Sequence, residues 1–226
     1  MRIALASCGL AAIVSSVSLA GMVDTYTFSS QTDWVDAPTE LGFVPTGWAT
    51  DIVTVQFTQP EVRNTSSIGD FATFTGGGRV DWSARSSAAD GEVSMVNGAL
   101  FAMPAGSSLV FSFTGNAATG GLLGIGGKFG FFDTNGNRTA GRVLVKMSDG
   151  TAILRNFNTP DAFAGFWTTP GNPTITELTI TAIGAGASTS YVGANALVLG
   201  WMAPVPGPGS LVLLAAAGLM GARRRR

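Results

Sequence analysis

The sequence predicts an all-β protein, organised as a two-sheet, jelly-roll-like β-sandwich. Short runs rich in β-branched and aromatic residues recur along the chain, and turns rich in Gly, Asn and Pro separate them. Asn97-Gly98 and Asp149-Gly150 stand between such runs, and these dipeptides are strong signals for a β-hairpin. No eleven-residue window between residues 21 and 203 has a convincing 3.6-residue apolar repeat, so no helix is expected there.

About ten to twelve short strands are expected in this body, which suits one sandwich domain. One run leads through Asp149-Gly150 into the next, and the residues around Asn97-Gly98 form a second hairpin signal. In the alternating run 175–181, Leu178 and Ile180 point to the opposite side from Glu177. The clearest strand signals are at 52–57, 108–113, 128–132, 142–147, 151–154, 175–181 and 196–199.

Composition excludes several classes of protein. The 226 residues include no His and a single Cys, which rules out imidazole-based catalysis, an internal disulfide and a Cys-rich zinc site. Only 12% of the residues are charged, and 46% are hydrophobic, which is unlike a disordered chain. The formal net charge of −1 argues against binding to nucleic acid.

The N-terminal residues have the pattern of a secretory signal peptide. Arg2 provides a positive charge, residues 3–19 are uncharged and largely apolar, and Ser18 and Ala20 are the small residues that precede a cleavage site before Gly21. Removal of residues 1–20 would also remove Cys8, so the mature chain would contain no cysteine. We therefore expect the N-terminal segment to form a signal helix that directs export.

The C-terminal residues combine a Pro-Gly motif, an apolar segment and a cluster of arginines. The apolar segment 211–222 would rise only about 18 Å as a helix, against a hydrocarbon thickness of about 30 Å. The arginines would stay on the cytoplasmic side and stop translocation. A short membrane helix with a basic stop suits a transient anchor. The motif residues are Pro206, Gly207, Pro208, Gly209 and Ser210, and the stop-transfer residues are Arg223, Arg224, Arg225 and Arg226.

This tail resembles the PEP-CTERM sorting signal of bacteria that produce exopolysaccharide. Pro206 and Pro208 match the two prolines of that signal, whereas Gly207 stands where the family has Glu. The resemblance implies recognition by an exosortase-like sorting enzyme, with the protein released or attached at the cell surface. We therefore expect three segments: a signal peptide (1–20), a β-sandwich (21–203) and a sorting signal (204–226).

The body carries a second resemblance, over about residues 105–201. It is similar to jelly-roll domains that often precede PEP-CTERM tails and share the shape of carbohydrate-binding modules. The matching runs are 129–133, 143–145, 149–151, 163–166, 175–181 and 196–200. This resemblance implies a sandwich fold and carries little information about activity.

Two sets of residues are candidates for ligand binding. Asp133, Asn135 and Asn137 place oxygen atoms at alternate positions, as a calcium loop does, but Asn135-Gly136 equally suits a tight turn. The EF-hand pattern fails because Arg138 and Leu144 stand at its glycine and glutamate positions. Trp34 and Trp48 lie in loop-like sequence and are the best candidates for exposed rings that stack on sugars; core packing is the alternative for each.

The glycine-rich segment 120–128 does not have the spacing of a phosphate-binding loop. Leu122 stands where the first glycine belongs, and Phe129 stands where Ser or Thr would bind magnesium. We expect a flexible glycine-rich loop at this point.

The leading expectation is a non-catalytic exported protein of the cell envelope, cell surface or extracellular matrix. Its partners would be the Sec-type export machinery, an exosortase-like enzyme and, before processing, the membrane; no cofactor, firm metal site or nucleic-acid partner is expected. One alternative is a module that binds exopolysaccharide, with structural calcium. Another is a polysaccharide-active enzyme, which needs two carboxylates about 5–10 Å apart. Its candidate acids are Asp81, Asp90, Glu92 and Glu177.

Overall fold

The computed structural model describes residues 25–42, 44, 46–57, 61–75, 78–115, 121–157, 162–169, 175–184 and 186–204. These residues form two antiparallel sheets with a shared apolar interior, which confirms the predicted all-β sandwich. The predicted signal peptide and C-terminal membrane helix lie outside the described residues. The described part of the chain contains fifteen strands, more than expected.

The larger sheet has nine strands, in the order β1-β13-β9-β15-β7-β6-β3, with β2 beside β15 and β10 beside β9. Its centre is the antiparallel pair of the two longest strands, β9 and β15. The strands are β1 Thr25–Phe28, β2 Trp48–Gln56, β3 Val62–Thr65, β6 Glu92–Val96, β7 Ala99–Met103, β9 Gly121–Phe132, β10 Arg138–Thr139, β13 Ala164–Thr168 and β15 Tyr191–Pro204.

The smaller sheet has six strands, in the order β12-β11-β14-β8-β5-β4. Alternate residues of its strands point into the sandwich, as in β5, where every second residue is buried. The strands are β4 Ser67–Thr73, β5 Arg79–Ser86, β8 Leu109–Gly115, β11 Gly141–Met147, β12 Ala152–Phe157 and β14 Glu177–Ile183.

Both predicted hairpins are present. The Asn97-Gly98 turn joins β6 to β7, and the Asp149-Gly150 turn joins β11 to β12. Asn97 has φ +50° and Gly98 has φ +74°. Positive φ at both central residues is the geometry that matches the twist of a two-residue hairpin.

The expectation that the body has no helix is wrong. Helix α1 spans Gln31–Glu40, and a 3-10 turn spans Ala187–Thr189. The Ser30 hydroxyl accepts a hydrogen bond from the Asp33 amide at 3.3 Å and caps the first turn. Trp34 and Ala37 point from the helix into a cluster on the outer face of the larger sheet. The helix was missed because it is short and includes Pro38, which weakens its periodic signal.

The expectation of a flexible glycine-rich loop at 120–128 is also wrong. Residues from Gly121 onward belong to β9, the buried central strand, in which Leu122 and Ile125 face the interior. Aromatic rings occupy the space over its glycines: a Cβ on Gly124 would lie 2.7 Å from the Trp167 ring, and one on Gly127 would lie 2.7 Å from the Phe129 ring. Glycine therefore serves here for close packing rather than for mobility.

The interior joins the two sheets without a disulfide among the described residues. Leu197 and Leu199 of β15 contact a buried cluster that includes Phe111 of β8 and Val145 of β11. A second cluster lies on the outer face of the larger sheet, where Trp34 and Trp167 stack with their centroids 5.0 Å apart. The sandwich core is therefore extended on one side by helix α1.

Candidate functional site

The sorting residues Pro206, Gly207, Pro208, Gly209 and Ser210 and the arginines 223–226 lie outside the described residues. The last described strand, β15, ends at Pro204 and lies between β9 on one side and β7 and β2 on the other. The motif thus begins two residues after the central strand of the larger sheet. In the part of the chain that the structure describes, no helix has the length and apolarity needed to cross a membrane.

Of the two alternatives for Trp34, the structure shows core packing rather than an exposed ring that could stack on sugars. Its side chain is fully buried. The indole Nε1 donates to the Phe166 carbonyl at 3.0 Å, and the Trp34 carbonyl accepts from the Trp167 indole at 2.7 Å. Trp34 is buried because its large apolar ring covers the outer face of β13, where the indole N–H, its one polar group, also finds a hydrogen-bond acceptor.

Trp48 is half-buried and lies on a strand rather than in a loop. It is the first residue of β2, where it pairs with Pro204 of β15. Its ring packs against the cluster that contains Trp34 and Trp167. The role of Trp48 in sugar binding stays a prediction.

The loop from Asp133 to Asn137 is closed by its own hydrogen bonds. The Asp133 carboxylate accepts from the Asn135 amide at 2.9 Å, from the Asn137 amide at 2.8 Å and from the Asn137 side chain at 2.9 Å. The Asn137 side-chain bond is the main cause that lowers the pKa of Asp133 below its ordinary value of 3.8. The hydrogen bonds explain Asp133 and Asn137 as turn residues.

This loop is also hydrogen-bonded to the β6–β7 turn. The Asn97 side chain donates to the Asn135 carbonyl at 2.8 Å. Among the described residues, no group of three or more His, Cys, Asp or Glu side chains is arranged to hold a metal. The calcium site at Asp133, Asn135 and Asn137 stays a prediction.

The four candidate acids of a polysaccharide-active enzyme are distributed over both sheets. Asp81 forms an ion pair with Arg79 at 2.6 Å, and Glu177 lies 3.9 Å from Arg85. Two strand spacings, about 10 Å, and a further two residues along β5 separate Asp81 from Glu177. Glu92 is the first residue of β6 in the other sheet, and Asp90 precedes that strand by two residues. Asp81 and Glu177 are therefore not brought together around one substrate position.

A recess of about 260 Å³ lies between the end of β8 and the start of β9. Phe113, Leu122 and Ile175 contribute apolar surface, and Thr114 and Thr176 contribute hydroxyl groups. None of the described residues that line it is ionisable.

Two charged surfaces were missed by the sequence reasoning. Helix α1 exposes Asp33, Asp36 and Glu40, while β11 exposes Arg142 and Lys146 on the other side of the sandwich. The net charge of the whole chain sums the charges of both surfaces, so it gives no sign of either one. The sequence signal for the acidic surface was the absence of Lys and Arg from residues 25–57.

Comparison of the chain with family models, with curated proteins and with solved structures returned no match.

Proposed function

We propose that this chain is a non-catalytic exported protein of the cell surface or extracellular matrix, and that its C-terminal segment is a sorting signal removed by an exosortase-like enzyme. The observation that supports this proposal most strongly is the position of β15. All fifteen described strands end by Pro204, before the motif that begins at Pro206. Cleavage after about Pro208 would leave the sheets and the core complete.

The make-up of the core also supports export. The single cysteine of the chain, Cys8, belongs to the proposed signal peptide. The core is built from buried aromatic and aliphatic side chains, so its stability depends on apolar burial rather than on disulfides. The stability of such a fold does not depend on whether its surroundings favour disulfide formation, as they do outside the cytoplasm.

The proposal is tested by replacing Arg223, Arg224, Arg225 and Arg226 with Gln in the native host. Without the positive stop, the tail should no longer be held at the cytoplasmic side. We expect the variant to lose its processed form or its surface fraction on a gel of cell fractions. The matched control is Arg63→Gln, which removes an exposed arginine of the body. An identical processing pattern in the tail variant and the wild type would refute the sorting role.

A further inference from the structure

Four neighbouring strands of the larger sheet bring the two ends of the described body to the same end of the fold. β1 begins at Thr25, which pairs with Thr168 at the end of β13. The Thr168 hydroxyl donates to the Leu123 carbonyl at 3.2 Å, near the start of β9, and this part of β9 pairs with the last residues of β15. Thr25 and the C-terminal part of β15 are therefore three strand spacings apart, about 14 Å.

We define the terminal end as the end of the fold where the chain enters β1 and leaves β15. Trp48, the first residue of β2, pairs there with Pro204, and Thr46 is an exposed turn residue just before it. The turn between β11 and β12 belongs to the same end, because the Thr25 hydroxyl donates to the Asp149 carboxylate at 2.7 Å. The terminal end therefore consists of residues from both sheets: Thr25, Thr46, Trp48, Asp149 and Pro204.

The opposite end of the fold lies far from both of these positions. β15 runs from Tyr191 to Pro204, so its first and last residues are about 40 Å apart along the strand. Tyr191 pairs with Phe132, the last residue of β9, and the loop 133–137 follows at this opposite end. Ser188, in the 3-10 turn that precedes β15, is exposed there.

Only short connections separate the terminal end from the segments that the proposed function assigns to the membrane. Residues 21–24 connect the proposed signal-peptide cleavage site to Thr25, and residues 205–210 connect Pro204 to the apolar segment that begins at Leu211. The seven residue steps from Pro204 to Leu211 span at most about 25 Å, even in a fully extended chain. The body therefore cannot move far from an anchored tail.

The shortness of the apolar segment brings the body closer to the bilayer. As a helix, residues 211–222 would leave about 12 Å of the hydrocarbon layer uncovered. Because the arginines would stay at the cytoplasmic side, this deficit lies on the side of the sandwich, where residues 205–210 enter the bilayer or the bilayer becomes thinner. The headgroup layer takes up at least about 5 Å more of the connection. The gap between Pro204 and the headgroups is then less than about 20 Å, about half the length of β15.

From this geometry we infer that, before the tail is removed, the terminal end of the sandwich faces the membrane and is the surface that contacts the lipid headgroups. The inference rests on the proposed function, because it takes the tail to be a membrane segment, and it adds which end of the body the bilayer meets. Half-buried Trp48 suits this position, since indole rings are enriched at membrane–water interfaces.

This orientation has two consequences for the proposed function. The bond after about Pro208 lies between the body and the bilayer, so a sorting enzyme would cut it in a narrow gap beside the terminal end. The loop 133–137, at the opposite end, faces away from the membrane. Since Thr25 also lies at the terminal end, the orientation is the same before and after residues 1–20 are removed.

The test measures which end of the body lies near lipid headgroups. Cys8 is the only cysteine of the chain, so a Cys8→Ser background allows one fluorescent label to be placed at a chosen residue. Thr46→Cys labels the terminal end, and Ser188→Cys is the matched control at the opposite end; both side chains are exposed. Each full-length variant is reconstituted into phosphatidylcholine vesicles that carry a nitroxide quencher on the headgroup. We expect the label at residue 46 to lose fluorescence and the label at residue 188 to keep it.

A second variant tests whether the short connection holds the body in place. Insertion of about twelve Gly and Ser residues after Pro204 keeps the same tail and adds a flexible spacer with a mean span of about 19 Å. The label at residue 46 should then regain fluorescence, while the chain still floats with the vesicles in a density gradient. Unchanged thermal unfolding of each variant shows that the sandwich is folded.

Equal quenching of the two labels, or stronger quenching at residue 188, would overturn the inference. Quenching at residue 46 that persists with the spacer would also overturn it, because the short connection would then not position the body. A chain that does not float with the vesicles would contradict the membrane tail, and with it the proposed function. A chain that floats while the label at residue 46 stays unquenched would contradict the orientation alone.

Discussion

The Asp133 carboxylate couples the stability of its loop to pH. Three hydrogen bonds favour its charged form, and the bond from the Asn137 side chain contributes most to the lowered pKa. A carboxyl group whose pKa is lower in the folded state adds stability above its ordinary pKa of 3.8. That stability is lost as the pH falls through the lower folded value.

Asp133→Asn should therefore lower the temperature of unfolding at pH 6, and the difference from the wild type should shrink as the pH falls below 3.8. In an Asn137→Ala background the same substitution should show a smaller pH dependence, because the largest cause of the shift is removed. Calorimetry over this pH range measures both effects. A difference that stays constant with pH would contradict the assignment.

Trp34 illustrates why the exposure of a single residue is hard to predict. Its neighbours Asp33 and Asp36 are polar, which suggested an exposed ring, yet both point to solvent from the opposite side of a helix. The spacing of Trp34, Ala37 and Leu41 is that of one helix face, and Ser30 is a good N-cap. The surface that this face covers includes Trp167, which is 133 positions away in the sequence, and no local pattern reveals that contact.

At the scale of elements, the β6–β7 turn connects a predicted hairpin to the Asp133 loop. Asn97 has φ +50°, and its side chain donates to the Asn135 carbonyl. Asn97→Ala should lower the free energy of unfolding by about 2 kcal/mol, since backbone strain and the lost hydrogen bond each contribute about 1 kcal/mol.

Asn97→Gly is the matched control, because glycine accepts positive φ without strain. It should cost about 1 kcal/mol, which is the hydrogen-bond contribution alone. Urea unfolding of the two variants separates the effects. Equal losses in both would show that backbone strain at residue 97 contributes nothing.

Local signals predicted the hairpins well and the glycine-rich strand badly. Asn97-Gly98 and Asp149-Gly150 determine their turns through backbone geometry, which nearby residues specify. In contrast, the glycines of β9 are there because rings such as Trp167 pack over them. That reason depends on β13 and α1, which are distant in the sequence, so the pattern suggested a flexible loop.

At the scale of the molecule, strand patterns in the sequence predicted the fold class. They did not predict where charged side chains lie on the surface. Burial of alternate residues, as in β5 and β11, is a property of each strand and is visible in the sequence. The placement of α1 and β11 on opposite sides depends on strand order across both sheets. The two oppositely charged surfaces, on α1 and on β11, could therefore be located only in the structure.

Export followed by removal of the C-terminal tail is the central proposal for this protein. Intact mass spectrometry of the protein recovered from each cell fraction of its native host tests this directly. We predict a surface or extracellular form that lacks residues 1–20 and the residues after about Pro208, with the sandwich that ends at Pro204 intact. A mass that retains Arg226 in the surface fraction would contradict sorting by cleavage and would indicate a protein that keeps its C-terminal anchor.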